Sequence, residues 1–413
     1  MDISTSSNTS ESNRRKKIQV GFLCYDLQLF TEDCLYRVSQ AISPINLKAY
    51  PVIFHPHQKK ARITCHPSLE KGRHFGVNVA NSTPEGFASN LNWRAAWRCV
   101  RESDVIFLFG LQGATALLVG LLGTLMRRIM ISVNQTLPVA WEQKRRWWIR
   151  LLKGWLLNRC EDHIYQTPVS KEVLQEVYGI EKDRLFFAPF EAGASGFKEK
   201  LDKQKSYKGK MRREIGITDE VLFLFVGNMV PFKGISNMIE AATLLPRGSK
   251  FICVFVGPEE PSHKTGGTID YFLGIACKLG VEKYMRFLGA LSPEHLASAY
   301  WAADVIVLPT HKDCFPKVLV EGALAEKPLI TTNANGAAGT IVINGDNGFV
   351  VEPGNIYALA DAMIKLLNAD LRKVMGIRSA EIVRKFCDSQ LETEGYVSAI
   401  RHVLANQRSK KVS

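Results

Sequence analysis

Residues 286–328 read RFLGALSPEHLASAYWAADVIVLPTHKDCFPKVLVEGALAEKP. A short apolar run ends at Gly289, a helical pattern (PEHLASAYWAA) follows, and the apolar run DVIVLPT leads into a second helical pattern and then KPLITT. Apolar runs of strand length alternating with helical segments specify parallel strands covered on both faces. Outward from this core, VLFLFVG (221–227), KFICVFVG (250–257) and GFVV (348–351) continue the pattern, with SNMIEAATLL as a further helix. Upstream, IQVGFLCY (18–25), YPVIFH (50–55), DVIFLFG (104–110), RIMISVN (128–134) and HIYQTP (163–168) repeat the same grammar and specify a first α/β unit. The charged stretch 191–216, poor in apolar residues, marks the boundary. The expected organisation is a basic arm at 1–17, a first Rossmann-like domain at 18–193, a second at 194–385, and a C-terminal helix with a basic tail at 386–413.

Composition narrows the class. The chain has 413 residues, 46% hydrophobic and 23% charged, which fits two or three globular domains and excludes a disulfide-stapled mini-protein. Nine cysteines are scattered without a CxxC pair and read as reduced thiols, and the polar N-terminus has no apolar core of a secretory leader. The apolar stretch Val105–Met126 contains four Gly and a Gln, and it reads as strand, turn and helix rather than as a membrane span. Lys plus Arg (53) exceed Asp plus Glu (40), and from Arg127 to Cys160 eight basic residues face one acid, Glu142. Such a surplus suits an acidic partner.

In doubly wound domains ligands lie at the carboxyl ends of strands. After VLFLFVG come Asn228, Lys233 and Gly234, the last two just ahead of a helix, where a lysine beside free amides suits a phosphate; a solvated loop lysine is the plain alternative. After DVIVLPT come Asp313 on a loop and Glu321 near a helix start, with seven residues between them. Paired carboxylates suit polyol hydroxyls, and a capping Asp with a dipole-favoured Glu is the alternative. The small-residue loop TTNANGAAGTIV allows close backbone approach or is simply a surface turn.

Taken in order, VGNMVPFKG, FVGPEE, the stretch quoted first and NGAAGTIVINGDNGFVVEPGN resemble the second domain of retaining glycosyltransferases of family 4, which have the GT-B fold. The resemblance runs over about Val221–Leu367 and more weakly over the first domain. It implies that Lys233 neutralises a donor's diphosphate, that Glu321 holds the nucleotide ribose, and that Asp313 meets donor-sugar hydroxyls. Cys314, Phe315 and Pro316 fall in the adjoining donor loop, and the loop at Gly289–Ala290 would hold the base. The implied enzyme is a hexosyltransferase using a nucleotide-diphosphate sugar, without metal or other cofactor. Departures are equally specific: Asn228 replaces an arginine, Asn134 stands at a first-domain position often held by histidine on the acceptor side, DLQLFTED replaces a Gly-Gly turn, Glu326 replaces a helix-ending Gly and Thr340 replaces a Glu. They motivate two alternatives, a degenerate binder of nucleotide sugar or a partner, and a sugar-nucleotide epimerase. The pair His55-Pro-His57 supplies only two of the ligands a metal site needs and is not expected to hold a metal.

The segment 144–159, KRRWWIRLLKGWLLNR, has helical phase. Trp148, Leu151, Leu152 and Trp155 share a face, with Arg146, Arg150 and Lys153 opposite and Trp147 at the edge. An interfacial helix on an anionic leaflet has this pattern, and a helix packed on its own domain with a solvated basic face is the alternative. The expected protein is cytoplasmic, peripherally bound to the inner face of a membrane, and acts on a glycan or lipid-linked acceptor. Nucleic acid is not an expected partner.

Overall fold

The structure is a computed structural model and describes residues 18–24, 29–42, 45–51, 93–109, 111, 114–135, 142–144, 146–190, 194–261 and 267–412. The basic arm, Asp26-Leu27-Gln28 of the first turn and the His55-Pro-His57 pair lie outside the described residues.

The first unit has strands β1 (Ile18–Cys24), β2 (Ile45–Pro51), β3 (Val105–Phe109), β4 (Ile129–Asn134), β5 (Asp162–Tyr165) and β6 (Leu185–Phe187), with helices α1 (Leu29–Ala41), α2 (Trp93–Glu102), α3 (Ala114–Leu125), α4 (Trp147–Arg159) and α5 (Pro168–Glu172). All pairings are parallel and the order is β2-β1-β3-β4-β5-β6. One face packs with α1 through Val20, Phe22, Phe107, Ile131 and Ile164; the other packs with α2, α3 and α4 through Ile106, Leu108, Met130, Leu156 and Leu157. The stretch Val105–Met126 is a buried strand and a twelve-residue helix, and among the described residues no helix is long and apolar enough to cross a membrane.

The second unit has helices α6 (Ala194–Gln204) and α7 (Lys208–Ile215), then β7 (Val221–Val226), α8 (Ile235–Ala242), β8 (Phe251–Val256), α9 (Ile269–Leu279), β9 (Met285–Gly289), α10 (Pro293–Ala302), β10 (Val305–Leu308), α11 (Lys317–Leu324), β11 (Leu329–Thr332), β12 (Gly348–Val351), α12 (Ile356–Lys365) and α13 (Ala369–Phe386). Its order is β12-β11-β10-β7-β8-β9, again all parallel. The last helix, α14 (Ser389–Val412), returns to the first sheet. There Tyr396 lies against Phe22 and Phe107, Arg37 pairs with Glu392 at 2.7 Å, and His402 meets Asp162 at 2.8 Å.

Of the strand expected at YPVIFH only Tyr50 and Pro51 are described, as the end of β2, and its remaining residues lie outside the described ones; the register of β2 with β1 aligns Ile18 with Ile45 and Cys24 with Pro51. Two local expectations change. Residues 194–215, read as part of a charged boundary, form α6 and α7, whose Leu201, Met211 and Ile215 are buried against the second core. Trp301 Nε1 donates to Leu201 O at 2.6 Å and Arg212 pairs with Asp304 at 3.0 Å, so tertiary partners hold these helices. Lys153 does not lie on a solvated basic face: it is 5% exposed and bonded to the buried Glu142 at 2.8 Å, because a lone acid eleven residues earlier claims it.

Candidate functional site

In the second sheet, β7 leads outward to β8 and β9 on one side and neighbours β10 on the other, so the strand order reverses between β7 and β10. Loops at such a switch point diverge and leave a crevice. A cavity of about 590 Å³ opens here, lined by Asn228, Lys233, Glu260, Asp313, Phe315 and Pro316 among others. The β7 loop closes with a 3₁₀ turn at Pro231–Lys233 and Gly234, whose φ is +80°. A Cβ at Gly234 would sit 2.0 Å from Pro309 O, so only glycine allows the two loops to touch there. His311 N donates to Phe232 O at 2.8 Å and Thr310 Oγ1 to the same oxygen at 3.2 Å, which fixes one loop on the other.

Lys233 Nζ donates to Asp313 Oδ2 at 2.5 Å, both side chains being about one-fifth exposed. Asn228 Nδ2 donates to Glu260 Oε1 at 3.0 Å. Asp313 N donates to Ala334 O and Gly336 N to Cys314 O, so the loop after β11 braces the loop after β10. Asn335, fully buried, anchors that brace through Thr331 Oγ1 and the Ala337 amide. Phe315 is buried, edge-on to Phe190 at 6.0 Å.

Glu321 lies one turn into α11 and does not line the cavity. Its Oε2 accepts from Tyr300 OH at 2.6 Å. Desolvation pushes its carboxyl above the ordinary range, against the opposing pull of the Tyr300 hydrogen bond and the charges of Lys317 and Lys200. Gly289 ends β9 and Ala290 follows it at the same carboxyl edge, with Gly289 O accepting from Gly257 N at 2.9 Å, and both lie outside the cavity. Among the described residues no group of three or more His, Cys, Asp or Glu side chains is placed to hold a metal ion.

In the first unit, Asn134 ends β4 and is buried. Its Nδ2 donates to Ser132 Oγ at 2.7 Å, and Ser132 Oγ shares a 2.7 Å hydrogen bond with His163 Nδ1. Burial lowers His163 to about 3, which keeps its ring neutral. His163 Nε2, Gln135 Nε2 and Gln166 Oε1 are buried without a hydrogen-bond partner, a polar group near Asn134 that sequence periodicity does not single out.

On α4 the aromatic face points outward: Trp147, Trp148, Leu151, Leu152 and Trp155 are all exposed. Trp93 and Trp97 on α2 and Leu121 and Leu125 on α3 are exposed on the neighbouring helices of the same layer. Arg146 is exposed, and Arg150 is half-buried, donating to Gln143 O.

Residues 208–381 match the family model described as "Glycosyl transferases group 1". The D-inositol 3-phosphate glycosyltransferase of Corynebacterium glutamicum is 28% identical over 243 residues, 57% of this chain and 56% of that one. The capsular polysaccharide biosynthesis glycosyltransferase CapM of Staphylococcus aureus is 29% identical over 47% of this chain and 49% of its own. The chain spans about half the length of the curated relatives it matches. The crystal structure of Anabaena Alr3699/HepE in complex with UDP superposes with a TM-score of 0.69 at 17% identity, covering 95% of this chain and all of that one. The fold is GT-B, two Rossmann-like units facing a cleft.

Proposed function

We propose that the protein is a retaining glycosyltransferase that moves a hexosyl group from a nucleotide-diphosphate sugar to a glycan or lipid-linked acceptor at the cytoplasmic face of a membrane. The observation that carries this reading is the meeting of Lys233 and Asp313, from the loops after β7 and β10, in a cavity at the switch point. Lys233 stabilises the charge that grows on the departing diphosphate, Asp313 holds donor-sugar hydroxyls with its remaining oxygen, and Glu321, fixed by Tyr300, takes the ribose. Gly234, Cys314, Phe315 and Pro316 shape the donor loop and Gly289–Ala290 the base end. Asn134, beside His163, faces the acceptor. Since the anionic leaving group is offset by lysine and amides, the chemistry calls for positioning and charge stabilisation rather than a metal. The UDP complex of HepE supports a nucleoside diphosphate as the donor's leaving group, and the names of the curated relatives support a polyol or glycan acceptor. The outward Trp and Leu side chains of α4, extended by those of α2 and α3, support docking on an anionic leaflet.

The test is transfer itself. Wild type supplied with a panel of labelled nucleotide sugars and a membrane or glycan extract should label one acceptor. Lys233→Ala should slow that transfer by roughly 100- to 1,000-fold, the usual cost of losing one charge-stabilising contact. Donor binding without any transfer, with Lys233→Ala binding as tightly as wild type, would establish the degenerate binder instead; release of an epimerised free nucleotide sugar would establish the epimerase.

A further inference from the structure

Four charged side chains line the switch-point cavity: Lys233, Lys317, Glu260 and Asp313. Asp313 is bonded to Lys233, so that lysine's charge is matched before an anion enters. Asn228, where the family resemblance implies a second cation, is neutral and donates its amide to Glu260. Without Lys317, an incoming diphosphate would therefore meet one cation and two carboxylates, a local balance that opposes a polyanion.

Lys317 brings this balance to two cations against two carboxylates. It is the first residue of α11, directly after the N-cap Pro316, and Leu319 N closes the first turn on Pro316 O at 3.2 Å. Its side chain is partly buried and its charge acts on Glu321 one turn further along. Lysine is also the cation whose flexible stem and point charge suit phosphate oxygens that shift during departure.

We infer that Lys317 is the second cation of the diphosphate site, replacing from α11 the charge that Asn228 does not supply from the β7 loop. The donor's phosphates then lie between Lys233 and the start of α11, closer to Glu321 than a cation at position 228 would draw them. This inference rests on the donor-site reading above.

The experiment uses the full chain and three probes, UDP, GDP and ADP, each paired with its nucleoside, with affinities read by calorimetry and ligand-observed NMR. For the diphosphate that wild type binds, Lys317→Met should weaken affinity roughly tenfold or more, the effect of removing one charge-assisted contact, while nucleoside binding stays unchanged. Lys317→Arg should retain most of the affinity. Adding Asn228→Arg to Lys317→Met should recover much of the loss, because either position then supplies the second charge. The inference is overturned if Lys317→Met binds the diphosphate as wild type does, if it loses nucleoside and diphosphate equally, or if Asn228→Arg recovers nothing. If wild type binds none of the three diphosphates, the donor-site reading itself is overturned, and this inference with it.

Discussion

Glu326 has a φ of +59° at the end of α11, the left-handed conformation that its position, where the family ends this helix with glycine, requires of whichever residue stands there. An L-residue held there costs roughly 1–2 kcal/mol, partly offset by the roughly 0.5–1 kcal/mol of extra chain entropy a glycine loses on folding. Glu326→Gly should therefore stabilise the protein by about 0.5–1 kcal/mol in chemical denaturation; a less stable variant would show that the exposed Glu326 side chain makes a contact worth more than the strain. Residues of this kind are legible in the sequence because each sits at a fixed step from a strand or helix end. Lys233, Gly234 and Asp313 belong to the same class, lying on short loops after apolar runs. Partners were less legible. Tyr300 reaches Glu321 across 21 residues and from another helix, and Lys153 finds Glu142 where helical phase alone assigns it to solvent.

Among the elements, β7, β8 and β10 of the second sheet were the most legible, since strands buried on both faces read as unbroken apolar runs. Helices α6 and α7 were not, because their few apolar residues are diluted by lysine and the energy holding them comes from α10 and the β10 entrance rather than from their own pattern. Helix α4 shows both outcomes at once. Its apolar stripe was legible, yet Leu156, Leu157 and Lys153, not the tryptophans, form the inward face. An apolar face turned to solvent across three neighbouring helices needs a partner, and large exposed apolar patches on soluble domains are uncommon. Replacing Trp147, Trp148 and Trp155 together by Ala should release the protein from anionic vesicles with little loss of folding stability, because these side chains contribute little to the core. Replacing Arg146 and Arg150 by Gln should weaken binding less, and salt should weaken wild-type binding as well. Sedimentation with vesicles of phosphatidylglycerol and phosphatidylcholine measures all three. If the tryptophan variant sediments as wild type does, α4 is not the membrane contact, and a second copy or a protein partner covers it.

At the scale of the molecule, the proposed donor groups sit on the second unit and the proposed acceptor-side Asn134, with His163, on the first, so on that proposal transfer requires the two to approach. The chain crosses between units near residue 190 and again between Phe386 and Ser389, and only the second crossing carries a long helix with it. Helix α14 is committed to the first sheet: Tyr396 is buried against Phe22 and Phe107, and Arg37 and Asp162 hold Glu392 and His402. It must therefore move with the first unit, which places the flexible joint at Cys387–Asp388, where the chain leaves α13 and Cys387 Sγ lies against Phe190 O. A joint at two neighbouring crossings acts as a hinge, and hinges absorb their motion in a few residues at element ends. Scattering with a saturating nucleoside diphosphate that the protein binds should then show a smaller radius of gyration than the free protein. Cross-linking α14 to the first sheet should leave that compaction intact, whereas cross-linking α14 to α13 should abolish it. Compaction that persists with α14 fixed to α13 would move the hinge elsewhere, and an unchanged radius at saturation would show that the cleft is already closed enough for transfer.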